Sequence, residues 1–233
     1  MLNRLISKGH LRFVINLGNP LLAKNHRDGV QGVSVDLAQS LAREWGLNCE
    51  LTVVNNAREA VALLEQAQAD IGFLAIDPDR AEHLQFTRAY LQIEGCYLVK
   101  QDSKIQGIEQ VDQAENTIVV GQSSAYDLFL SRHLQHARLL RAHSSAEVVN
   151  VFLKENANVA AGVKHQLQTD MGLRQGLRLL PGHFMLIQQA MVLHKQHGTE
   201  GLSALQAFLD LSIKKGDLQN SLRRHQVSGA DLV

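Results

Sequence analysis

Apolar and polar positions alternate along this chain in two registers. Residues 11–16 form a short apolar run that ends at the turn signal Gly18-Asn19-Pro20, which predicts a buried strand. Residues 25–32 are polar and contain glycine, a loop or hairpin tip. Val35, Leu37, Ala38, Leu41, Ala42 and Trp45 then recur at helical spacing, with Gly46 as the stop. Strands are predicted over 49–54 and 71–75, with a helix over 57–66 between them. The pattern restarts after Gly95: strand 117–120, helix 124–134, strand 138–141, helix 146–154 and strand 159–162. An apolar, strand-like run follows at 182–190, and one long helix is predicted over 201–222. Strands that alternate with helices imply an α/β chain with mostly parallel sheets covered on both faces. The restart implies two such units, with ligand atoms held near strand ends and helix N-termini.

Composition narrows the function. The 233 residues carry 23 basic and 23 acidic side chains, for a formal net charge of zero. No basic stripe recommends a nucleic-acid partner, and no apolar run is long enough for membrane insertion. Met1 to Lys8 show no secretory leader, so the expectation is a periplasmic protein if a leader was removed and otherwise a cytoplasmic one. Cys49 and Cys96 sit among apolar residues and read as buried free thiols. Eleven histidines invite a metal reading. His133, His136 and His143 have no companion carboxylate or cysteine at ligand spacing, so neither a metal nor a cofactor is expected.

Several stretches resemble the family of periplasmic solute-binding proteins for polar amino acids. Gly32-Val33-Ser34-Val35-Asp36-Leu37-Ala38 is similar to that family's glycine-phenylalanine-aspartate-valine-aspartate-leucine-alanine segment. Ala69-Asp70, followed by Ala75-Ile76-Asp77-Pro78-Asp79-Arg80, resembles its stretch ending in proline-glutamate-arginine. Phe86-Thr87-Arg88-Ala89-Tyr90 matches phenylalanine-serine-x-x-tyrosine, and Gly121-Gln122-Ser123-Ser124 stands where the family has a glycine-threonine-threonine turn. The resemblance implies a two-lobed type II periplasmic-binding fold with two hinge crossings. Lobe one would hold residues 1–94 and 187–233, and lobe two the inserted residues 95–186. It further implies a protein that closes over a small anionic, carboxylate-bearing or amino-acid-like metabolite for ABC-type import, with a transporter permease as partner. A ligand-sensing module and a dehydratase-like enzyme are the alternatives. For the enzyme, Asp77, Glu94 and Asp127 are the candidate acids or bases.

Within that resemblance Arg80 is the carboxylate anchor, because a guanidinium makes paired charge-assisted hydrogen bonds. Asp77 and Pro78 would open a helix whose N–H groups add to the anion site. Ser123 and Ser124 offer hydroxyls and N–H groups from the other lobe, or simply cap a helix. Asn19 stands where the family often places an aromatic ring, and can hydrogen-bond or act as a turn residue. Ala75 replaces a serine and removes a hydroxyl. Of the adjacent Gln188 and Gln189, strand alternation turns one towards the ligand. Phe184 reads as core. The family's ammonium-binding aspartate would fall at Gly162-Val163-Lys164, which has no carboxylate. That departure points away from an ordinary α-amino acid, since a buried ammonium needs a partner. Lys164 either adds positive charge there or is an exposed strand-end lysine.

Overall fold

The computed structural model describes residues 9–233, so the leader question at Met1 to Lys8 lies outside the described residues. The chain divides into two compact units, one of residues 1–91, 188–228 and 232–233, the other of residues 92–187 and 229–231.

The first unit is built on β1 (His10–Asn16), β4 (Asn48–Val54), β5 (Ile71–Ala75) and β12 (Met185–His194), in the order β4-β1-β5-β12. β1 runs parallel to β4 and β5, and β12 pairs antiparallel with β5. Every residue of β5 is buried, as expected of a central strand covered on both faces. Helix α1 (Val33–Glu44) buries Val33, Val35, Leu37, Ala38, Leu41 and Ala42, the stripe its spacing predicts. Helix α2 (Ala57–Glu65) starts where Asn56 Oδ1 accepts the Glu59 N–H at 3.0 Å, while Glu59 reaches back to Asn55 N at 3.1 Å. Arg12 ties β1 to the entrance of β5: its N, Nε and Nη2 donate to the Asp70 carboxylate at 3.0, 3.0 and 2.7 Å. The loop at 25–32 is a hairpin of β2 (Lys24–His26) and β3 (Gly29–Gln31).

One element departs from expectation. The single helix predicted over 201–222 is two, α6 (Gly198–Lys215) and α7 (Asp217–Arg224). Gly216 between them has φ 79°, a left-handed stop that glycine adopts without steric cost. The apolar periodicity runs on through the break and hides it.

The second unit orders its strands β7-β10-β8-β9, with β7 (Leu91–Lys100), β8 (Thr117–Gly121), β9 (Arg138–Ala142) and β10 (Val159–Val163). β8, β9 and β10 are parallel. β7 is antiparallel to β10 and also pairs with the short β11 (Leu177–Leu179). Helices α3 (Ala125–His133), α4 (Val148–Lys154) and α5 (Lys164–Gly172) accompany them. Leu98, Val119, Val148, Phe152 and Ala160 are fully buried at the centre of this core. Two short strands, β6 (Leu84–Phe86) and β13 (Ala230–Leu232), complete the strands of the described residues.

Candidate functional site

In the first unit, the parallel strands β1 and β5 leave the sheet at the same edge, since Val14 stands opposite Gly72. The loops after them carry Asn19 and residues 76–80. Carboxyl ends of parallel strands are where α/β sheets gather ligand groups. Ala75 ends β5 and stands opposite Gln189 on β12, so their side chains share one face of the sheet. Arg80 Nη1 donates to the Ala75 carbonyl at 3.0 Å. The structure therefore places Arg80 and Gln189 each next to Ala75, through its carbonyl and its strand pairing respectively. Arg80 is only 6% exposed, so it is not the solvated surface arginine that its charged neighbours Asp77, Asp79 and Glu82 would suggest. Alternation separates the two glutamines: Gln189 is buried and Gln188 is exposed, contributing its backbone carbonyl to Ile76 N at 2.8 Å.

One expectation about this segment needs correction. The turn after Pro78 is not an α-helix but a single 3-10 turn, Arg80–Glu82. Asp77 makes the contacts of a cap ahead of it. Its Oδ1 accepts from Asp79 N at 3.0 Å, and its carbonyl accepts from Ala81 N, so the aspartate shapes the turn. One 3-10 turn has no array of aligned amides to supply, and the guanidinium carries the positive charge here. Asn19 is a turn residue in its contacts: its Oδ1 accepts from Leu21 N at 3.2 Å and its carbonyl accepts from Leu22 N at 3.0 Å.

In the second unit, β8 and β10 run parallel, with Ile118 opposite Val159. Their carboxyl ends deliver the Gly121–Ser124 turn and Lys164 to one sheet edge. Ser124 is the N-cap of α3, its Oγ accepting from Asp127 N at 3.1 Å. Ser123 has φ 58°, in the left-handed region, and its N–H donates to Asp127 Oδ2 at 2.8 Å. The Ser124 N–H donates to the Gly121 carbonyl at 3.1 Å. The backbone donors expected here for a ligand are thus engaged inside the turn. Asp127 is 3% exposed and also accepts from Arg141 Nε at 3.0 and 3.2 Å and from Ser131 Oγ at 3.3 Å. A Cβ on Gly121 would lie 2.7 Å from the Tyr126 hydroxyl and 2.9 Å from Ser145 backbone, so the turn tolerates only glycine there.

Lys164 is the first residue of α5, and it is not a solitary cation. It pairs with Glu94 on β7, and His183 Nδ1 lies 3.6 Å from the other Glu94 oxygen. The Lys164 ammonium holds the Glu94 carboxyl below its usual range, and Glu94 in turn raises Lys164. A carboxylate does therefore stand beside Gly162–Lys164. It comes from a strand far away in sequence, and its charge is already matched. Phe184 stacks on Tyr97 with ring centroids 4.3 Å apart. Cys96 is buried, its thiol pushed up to about 11 by desolvation, and Cys49 is half-buried; both are free. His133 stacks on Phe129 at 4.0 Å. No group of three or more potential metal ligands occurs among the described residues.

Each unit also has a cavity of its own. An open groove of about 590 Å³ in the second unit is lined by Lys100, Ser103, Asn116 and Asn158, and contains none of the residues singled out from the sequence. No helix among the described residues is long and apolar enough to cross a membrane.

Comparison with known proteins agrees with this arrangement. A solved L-cysteine solute receptor of Neisseria gonorrhoeae superposes with a TM-score of 0.82 at 17% identity, over 96% of this chain and 92% of the receptor. A mutant of ArgBP from T. maritima gives 0.81 at 18%, over 97% and 99%. The ancestral amino acid-binding protein AncCDT-1, a precursor of cyclohexadienyl dehydratase, gives 0.79 at 19%, over 96% and 98%. At such identities the likeness shows the fold, which is the type II periplasmic-binding fold. A sequence search of curated proteins returned no significant match. Residues 11–227 match the family described as bacterial extracellular solute-binding proteins, family 3, and the chain belongs to that family.

Proposed function

We propose that this solute-binding protein takes a small carboxylate-bearing metabolite, with Arg80 as its electrostatic anchor, and delivers it outside the cytoplasm to an ABC-type importer. The observation that carries the reading is the placement of Arg80: a buried guanidinium oriented by the Ala75 carbonyl at 3.0 Å, at the end of the strand whose last residue stands opposite the buried Gln189. A carboxylate answers a guanidinium with two parallel hydrogen bonds, and low surrounding polarity strengthens them. Gln189 can add a neutral amide contact. On the second unit, the Ser123 and Ser124 side chains are the proposed contacts, in place of their engaged amides. Asn19 and Gln188 are peripheral to this proposal.

Two of the relatives named above bind amino acids by their descriptions, L-cysteine in one case. For this chain the ligand's other end is proposed to lack an ammonium group. Glu94, the carboxylate beside Gly162–Lys164, already serves Lys164 and His183, so an incoming ammonium would have to displace a covalently tethered one. A dicarboxylate or simple organic acid avoids that competition.

Binding without turnover is favoured over a dehydratase reading. Glu94 is held ionised by Lys164, which makes it a poor proton donor near neutral pH. Both Asp127 oxygens accept hydrogen bonds within the protein.

A thermal-shift screen of dicarboxylates, aromatic acids and amino acids tests the proposal, because a ligand that binds only the folded form raises its melting temperature. Organic acids should stabilise the wild type and leave Arg80→Ala unmoved. Micromolar binding of lysine or arginine, or full binding by Arg80→Ala, would overturn it. Recovery of the bound acid chemically unchanged after long incubation is expected; conversion would favour the enzyme.

A further inference from the structure

The hairpin of the first unit has a use that the anion anchor does not absorb. Alternate residues of a strand share a face, so Lys24 and His26 project from the same side of β2. Gln31 on β3 stands opposite Lys24 and shares that side. The end of α7 brings Arg224 and His225 to the same place. Together these five side chains line a cavity of about 340 Å³ in which no carboxylate takes part. Its inner wall depends on Gly32, whose φ is 144° and whose Cβ, if present, would lie 2.2 Å from the Leu22 carbonyl oxygen. Any other residue would force the hairpin stem away from residues 22–23.

The charge balance of this cavity is positive. Asp36, behind it on α1, accepts from Ser221 Oγ at 2.6 Å, lies 3.0 Å from His225 Nε2 and accepts from Arg224 Nη1 at 3.3 Å. One carboxylate thus fixes the far wall and offsets one charge. Lys24 and Arg224 together carry one positive charge more than Asp36 offsets. Surface lysines and arginines normally point apart into water. Here Lys24 and Arg224, from two elements distant in sequence, line one cavity together with Gln31.

We propose that this cavity is a second anion site, distinct from the Arg80 site, that takes a small multivalent oxyanion of the phosphate or polycarboxylate class. Lys24 and Arg224 supply the charge, and Gln31 and His26 supply directional hydrogen-bond donors, while His225 is held against Asp36. Ala75, Arg80 and Gln189 take no part in it, so it stands whether or not the Arg80 reading holds.

Calorimetric titration with sodium phosphate and, separately, sodium citrate at constant ionic strength tests the site. Saturable binding of one ion per chain is expected in the Arg80→Ala protein, whose first site is disabled, with Kd at or below about 1 mM for at least one of the two. The better ligand identifies the chemistry as phosphate or carboxylate. The double substitution Lys24→Gln with Arg224→Gln should weaken binding about tenfold or more. Both side chains are exposed, so an unchanged melting temperature certifies the fold of that variant. Added to Arg80→Ala, the double substitution should weaken the ion by the same factor. Absence of saturable heat with both anions overturns the proposal, as does wild-type affinity in the double variant or loss of the signal in Arg80→Ala.

Discussion

The segments 75–80 and 121–124 occupy equivalent positions in their own units: each follows a buried parallel strand where it leaves the sheet. They are built in opposite ways. The first is short of aligned amides and presents a charged side chain, Arg80, oriented by one backbone carbonyl. The second has the helix start that the first lacks, but its amides serve Asp127 and Gly121. The Asp127 carboxylate, at the third helical position, takes the Ser123 N–H just ahead of the helix. Under the proposed reading, the difference leaves electrostatic anchoring to Arg80 in the first unit.

The strongest way to break that comparison is at Arg80. Arg80→Ala should weaken the best organic acid by about a hundredfold or more, since truncating one member of a desolvated charge pair costs several kcal/mol. Arg80→Lys should recover only part, because an ammonium cannot make the paired contact. Next comes Asp127→Ala, expected to cost about 2–3 kcal/mol of stability in denaturant unfolding, as it strands the Ser123 N–H and removes the Arg141 partner. If Asp127→Ala instead raised anion affinity without loss of stability, the second segment would be a suppressed anion site and the contrast would fail. Ser124→Ala should cost about 1 kcal/mol through the lost cap, with a smaller effect on affinity than Arg80→Ala.

The smallest effect concerns pH. Glu94 is lowered in the folded protein, so its contribution is present above the unfolded carboxylate value and is lost as pH falls through the folded one. Lys164 is raised, so its contribution is present below the unfolded lysine value and disappears as pH climbs through the folded one. The pair is about one-third exposed, and solvent screening limits it to about 1 kcal/mol or less. Glu94→Gln should therefore flatten the acid limb of the stability profile slightly. A large loss at neutral pH would mean that the pair supports the second unit far more than its exposure allows.

Most regular elements were legible because their burial is periodic. β5 matches its expected span of 71–75, and β1, β4, α2, β8, α3, β9 and β10 fall within a residue or so of theirs. What escaped is instructive. β7 runs through Glu94-Gly95, a charge and a breaker that interrupt its apolar run; the glycine is there because a Cβ would lie 2.8 Å from Met185. α5 has only Leu167 and Asp170 buried, too little apolar signal to register as a helix. At the candidate site, Arg80 came from a resemblance, since its charged neighbours alone suggested a surface residue. Gln189 rather than Gln188 required the β5–β12 register. The Glu94–Lys164 pair and the role of Asp127 could not be read at all, because both depend on contacts between residues that the sequence keeps apart.

The pairing of β12 with β5 also has a consequence in time. Ile71–Ala75 is made early in synthesis, but its antiparallel neighbour at 189–193 arrives only after all of residues 92–187. A buried central strand must therefore wait, one side unpaired, while the second unit has nearly all of its chain in hand. On a ribosome the inserted unit is set to finish first, and the unit that begins the chain last. A nascent chain halted near residue 187 would present β5 as an open apolar edge, the species for which a chaperone would have most work to do.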